Sequence, residues 1–63
     1  HSPMDYFNQL KVQRACQYLD LTNLKIKEIS FMLGFRDQFY FSKVFKKYME
    51  MTPVDYKKRA DIE

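Results

Sequence analysis

One cysteine, one glycine, two prolines and one histidine are all that these 63 residues hold of the types that build staples, tight turns and metal centres. Cys16 has no partner for an internal disulfide, and with His1 alone it cannot complete a tetrahedral zinc site. No metal or cofactor is therefore expected, and the lack of disulfides points to a reducing, cytoplasmic setting. With Gly34 as the sole glycine, phosphate-cradling loops are excluded and a sheet rich in tight turns is disfavoured. No apolar run approaches the roughly 18 residues of a membrane-spanning helix, so no membrane is expected as partner. The N-terminal stretch carries no signal-peptide pattern.

What is present is apolar and aromatic. Hydrophobic residues make up 46% of the chain, with six Phe and five Tyr. Large rings supply much buried area per residue, which a chain this short needs, so residues 1–63 are expected to fold as a single domain rather than remain disordered. The net charge of +3 is too small to identify a partner by itself; its distribution matters more.

The spacing of apolar residues predicts four helices. Ser2-Pro3-Met4-Asp5 reads as an N-cap, a proline at the first helical position and an early carboxylate, opening a helix over 3–20. Val12, Ala15, Cys16 and Leu19 form one stripe on it, while Tyr6, Phe7 and Leu10 lie nearly opposite, giving the helix two apolar faces. A second helix is expected from Ile26 to Leu33, with Leu24 and Ile29 as a hydrophobic staple and Gly34 as its stop. Asp37 then caps a third helix reaching Tyr48 or Met49, with Phe41, Val44, Phe45 and Tyr48 as its inward stripe. Thr52-Pro53-Val54-Asp55 starts a short fourth helix over 53–60.

The starts of the first and fourth helices share an order: hydroxyl, Pro, apolar, Asp, Tyr. Capping chemistry reused at two helix starts accounts for this. So does a repeat whose upstream copy is missing, which would also explain the second apolar face around Phe7 and Leu10.

Two short helices joined by a brief glycine turn outline a helix-turn-helix over 25–49, whose second helix (about 37–49) enters the DNA major groove. Opposite the inward stripe lie Arg36, Phe39, Lys43 and Lys46, flanked by Tyr40, Ser42 and Lys47, so the outward face is basic. Phe39 is the oddity, because a large ring at the centre of a polar face leaves apolar area in water. Thymine methyl groups offer it an apolar target, and Gln38 in the first turn could pair with adenine. Lys25 and Lys27, at the start of the second helix, suit phosphate, as do helix N-terminal amides. Each of these residues also has an ordinary reading. Phe39 could fold against Phe35 or Tyr40, the lysines could be simple solvated surface, and Gln38 could be a surface residue near a cap.

The run Ile26-x-x-Ile29-Ser30-x-x-x-Gly34-Phe35-x-Asp37-Gln38-x-Tyr40-Phe41-Ser42-x-x-Phe45-Lys46-Lys47, followed by Thr52-Pro53-x-x-Tyr56, closely resembles the C-terminal signature of the AraC family of bacterial transcription regulators. The preceding SPMDYFNQLKVQRACQYL is similar to that family's linker helix, so the resemblance covers nearly the whole chain. It implies two helix-turn-helix units joined by a long helix, of which this chain holds the linker and the second unit. It also implies base contacts from Gln38, Phe39 and Lys43, with Arg36 and Tyr40 nearby. The sequence departs from the family pattern at Glu50, commonly Gly, where a positive φ would cost on the order of 1 kcal/mol. It departs again at Ser30, frequently Ala, where a hydroxyl fits if it bonds back to the preceding turn.

The expectation is thus an all-α, homeodomain-like domain with one helix-turn-helix behind a long linker helix, binding double-stranded DNA without enzymatic activity. Arg36, Gln38, Phe39 and Lys43 would contact bases; Lys25, Lys27, Tyr40, Ser42, Lys46 and Lys47 would contact the DNA backbone. The missing first helix-turn-helix unit would be a further partner. The competing reading is a protein-interaction module whose Phe39/Tyr40 side docks a partner such as RNA polymerase. An enzyme is poorly supported, since His1 is terminal and Cys16 lies on an apolar stripe.

Overall fold

The computed structural model describes residues 3–62, with side chains for residues 5–59. Four helices follow one another: α1 (Pro3–Leu21), α2 (Ile26–Met32), α3 (Gln38–Met49) and α4 (Pro53–Ile62). The fold is small and all-α, with no strand among the described residues. The Ser2 cap expected for α1 lies outside the described residues.

Local chemistry sets each boundary. α1 runs one residue past Asp20, and Thr22 closes it, because both its backbone N–H and its hydroxyl donate to the Tyr18 carbonyl. Lys25 then lies extended, and the Glu28 carboxylate accepts its N–H at 3.0 Å, which satisfies a donor at the start of α2. α2 ends at Met32 rather than Leu33, which serves as its cap. Beyond it Gly34 takes φ 84°, the Gly34 N–H donates to the Phe31 carbonyl and the Phe35 N–H to the Ser30 carbonyl, each at 3.0 Å. This paired arrangement is a Schellman motif, and it turns Phe35 back into the core. At α4, Thr52 Oγ1 accepts from the Asp55 N–H at 3.2 Å; the helix continues to Ile62, past the expected end at residue 60.

The core is drawn from all four helices: Val12, Ala15 and Leu19 of α1, Ile29 of α2, Phe41, Val44 and Phe45 of α3, and Tyr56 of α4, together with Phe35. Cys16, assigned to the inward stripe, and Tyr48 are only half-buried. Four rings run in sequence through this core. Phe35 and Phe41 lie 5.1 Å apart between centroids, Phe41 and Phe45 5.9 Å, and Phe45 and Tyr56 5.7 Å. Ser30 is fully buried, and its hydroxyl donates to the Lys27 carbonyl at 2.8 Å, the back-bond that lets a hydroxyl stand at this close contact.

Polar ties fix α1 against α3 and α4. The Tyr56 hydroxyl donates to Asp20 Oδ2 at 3.0 Å, and the Tyr48 hydroxyl donates to the Asp5 carbonyl at 3.2 Å. The corner between α3 and α4 is strained: Glu50 sits at φ 63°, ψ 16°, in the left-handed region, while its N–H caps the helix on the Lys46 carbonyl at 2.8 Å. A carboxylate there also meets the negative end of the α3 dipole.

Glu50→Gly relieves both penalties at the cost of added freedom in the unfolded chain, so a net stabilisation of about 1 kcal/mol is expected in urea unfolding. Equal or lower stability would contradict the strain argument. A pH effect follows from Tyr56, whose phenol is pushed up to about 12 from its ordinary 10.0 by burial and by the hydrogen bond it donates to Asp20. A raised pKa favours the protonated form in the folded state, so this contribution is complete below pH 10 and disappears as pH rises through about 12. Thermal melts between those values should show the loss in the native chain and a smaller one in Tyr56→Phe.

Candidate nucleic-acid interface

α3 is aimed by its first turn. Asp37 adopts an extended conformation (φ −156°, ψ 168°), its Oδ1 accepts the Tyr40 N–H at 2.8 Å, and its carbonyl accepts the Phe41 N–H at 3.2 Å. With Phe41, Val44 and Phe45 pinned in the core, the helical period turns Phe39, Lys43 and Lys46 to the opposite side, and all three are exposed. Arg36, in the turn before α3, is exposed beside them.

Phe39 does not fold back. It is 78% exposed and, among the described residues, stacks on no other ring, whereas the neighbouring Tyr40 packs against Phe35 with centroids 6.0 Å apart. Leaving a phenylalanine in water forgoes roughly 1.5–3 kcal/mol of burial, so the position is not one that folding selects. Phe39, Tyr40, Arg36, Lys43 and Asp37 line an open cleft of about 440 Å³. Its one carboxylate is Asp37, already engaged as the helix cap, so the face presents two rings and two cations.

The remaining expected residues fall on the margins. Gln38 and Ser42 are half-buried on one flank of α3, less open than Phe39. Lys47 leans toward α1, its Nζ 3.5 Å from Asp5 Oδ1 and 5.5 Å from the Tyr48 ring centroid. Lys25 and Lys27 are exposed at the start of α2, where the Glu28 carboxylate already accepts the Lys25 N–H.

Two features escaped the sequence reading. Asp5, Lys47 and Tyr48 form a clamp joining the beginning of α1 to the end of α3, and Lys11 places its Nζ 5.0 Å over the Phe35 ring. No spacing rule pairs residues on separate helices, so nothing in the sequence marks either contact. Cys16 is half-buried beside Tyr56, and burial pushes its thiol up from 9.0, away from the activated thiolate of a nucleophile. Among the described residues no helix is long and apolar enough to cross a membrane.

Two helices, α2 and α3, joined by the Gly34 turn give the outline of a helix-turn-helix, with Arg36, Phe39, Lys43 and Lys46 exposed at the outer side of the second. The chain belongs to the AraC-type helix-turn-helix family of transcription regulators: the family described as "Helix-turn-helix domain" matches residues 1–59. It is 34% identical over 59 residues to the MmsAB operon regulatory protein of Pseudomonas aeruginosa, covering 94% of this chain and 19% of that protein. With the HTH-type transcriptional activator RhaR of an Enterobacter species it shares 38% over 55 residues, 87% of this chain and 20% of that protein. A further relative is the histidine kinase P4 of Formosa agariphila, 34% identical over 58 residues, 92% of this chain but 4% of the kinase. The chain thus spans about a fifth of the length of the regulators it matches. No solved structure matches it.

Because the Asp37 cap holds the first turn of α3 in place, Asp37→Ala should lower stability by about 1 kcal/mol in urea unfolding. Amide exchange should accelerate at Tyr40, whose N–H the cap accepts, while the Phe45 amide stays protected. Unchanged exchange at Tyr40 would show that the cap does not hold this ridge.

Proposed function

We propose that this chain is the second helix-turn-helix of an AraC-family regulator and that α3 lies in the major groove of double-stranded DNA. The observation that carries the reading is the outward face of α3, where Phe39 stands exposed among Arg36, Lys43 and Lys46 while the Asp37 carboxylate is committed to its own backbone. Arg36, Gln38, Phe39 and Lys43 contact base edges. Lys46 anchors one phosphate strand with Tyr40 and Ser42, and Lys25 and Lys27 the other, since α2 crosses the backbone in this motif. Lys47 joins the phosphate contacts by exchanging its Asp5 partner, a small cost for an ammonium whose side chain is 65% exposed.

The second apolar face of α1 belongs to the same reading. Tyr6 and Phe7 are each 59% exposed, with ring centroids 6.1 Å apart, and Leu10 continues the patch. A first helix-turn-helix unit packs there, which agrees with relatives about five times the length of this chain. The domain acts on DNA in the bacterial cytoplasm and performs no chemistry of its own.

A single unit binds weakly, in the micromolar range, against about 10⁻⁸ M or tighter for a complete site. Titration with duplex DNA at several salt concentrations should show a steep loss of affinity with salt, and Lys46→Ala should lower the logarithmic slope by about one. Amide signals of residues 36–47 should shift on addition of duplex. Salt-independent affinity, or signals that stay still with duplex yet move with RNA polymerase, would replace this reading with that of a protein-interaction module.

A further inference from the structure

We infer that Phe39 makes the site a reader of the pyrimidine 5-methyl group, so that its DNA target carries a thymine within about two base-pair steps of a guanine. The inference rests on the DNA-binding reading above and adds the base chemistry. Phe39 is 78% exposed at the centre of the α3 face, and its ring has neither donor nor acceptor. Of the groups that base pairs display in the major groove, the methyl on C5 of thymine is the large apolar one, where cytosine carries only a hydrogen. Set against guanine or adenine, the ring would bury N7 and the exocyclic group with nothing to bond them, a penalty that rejects those bases. Set against a methyl, it buries apolar area on both sides.

The neighbours define the flank. Arg36 precedes α3 and Lys43 lies one turn beyond Phe39; both line the same cleft, and the one carboxylate there, Asp37, faces its own backbone. Arginine and lysine prefer the O6 and N7 acceptors of guanine. Four residues of helix advance about 6 Å. At about 3.4 Å per base step this is close to two steps, which sets the spacing between the methyl and the guanine. Cytosine lacks the methyl, but 5-methylcytosine carries the same apolar group in the same place, so the site responds to cytosine methylation as it does to thymine.

The test works first on the DNA, leaving the native chain intact. The full chain selects its preferred duplex from a random pool, and each thymine of that duplex is then replaced in turn by uracil, which removes the methyl alone. At one position uracil should weaken binding about four-fold, the effect of one buried methyl. There, 5-methylcytosine should exceed cytosine by a similar factor. In Phe39→Ala both differences should vanish while the salt slope stays as in the native chain, and Phe39→Gln should move the preference toward adenine. Salt-dependent binding with no uracil-sensitive position, or a uracil penalty that survives in Phe39→Ala, overturns the methyl reading and leaves DNA binding standing. Failure to bind any duplex overturns both.

Discussion

The row of rings from Phe35 through Phe41 and Phe45 to Tyr56 is the constraint on which the rest of the structure depends. α2 has seven residues and α3 has twelve, lengths at which helices in water are marginal or absent without tertiary support. The row supplies that support in a directional form. Tilted and edge-on pairs contribute about 0.5–1.5 kcal/mol each beyond their burial, and their geometry fixes the rotation of α3 about its own axis. Because Phe41 and Phe45 are held to the centre, the outward direction of α3 is no longer free. The exposed face of α3 is set by the core on the far side of the same helix.

Small residues complete that arrangement. Ala15 and Ser30 have no exposed surface at all, so a larger side chain at either would overpack the core. α1 then reaches α4 through Tyr56 and Asp20 and the end of α3 through Tyr48 and Asp5. It is therefore part of the domain, and a disturbance of its first turns reaches the end of α3 through Asp5, Lys47 and Tyr48.

Much of this could be read from the chain beforehand, and the reasons are local. Helix starts at Pro3, Ile26, Gln38 and Pro53 follow from proline geometry, a staple or a capping side chain, all written within a few residues. Gly34 is legible at positive φ from its position after a helix, and Glu50 only through the resemblance to a family that commonly has Gly there; both adopt it. Boundaries failed where competing bonds decided: α2 stops short of Leu33 because the glycine turn takes the carbonyls that would have continued it. The face of α3 was available from its period, but the leaning of Lys47 toward Asp5 was not, since it depends on a helix far away in sequence. Glu28 suits the first turn of α2 on sequence grounds alone, but the bond its carboxylate accepts from the Lys25 N–H shows only in the structure.

Glu50 and Phe39 each break a rule of stability, and the difference between the two matters. Glu50 carries backbone strain at the corner between α3 and α4, away from the ridge of Arg36, Phe39 and Lys43, and nothing around it offers a use for that strain. Phe39 breaks a different rule: its backbone is relaxed, and the cost is a ring held in water at the centre of a charged face. Strain can persist wherever the rest of a fold tolerates it, but an exposed ring is removed by almost any polar substitution without disturbing the core. On the DNA-binding reading, the ring in that place has a gain outside the folded chain itself. An apolar atom set among cations gains most against a surface that is anionic at its edges and carries isolated methyl groups between them, which describes the major groove of DNA.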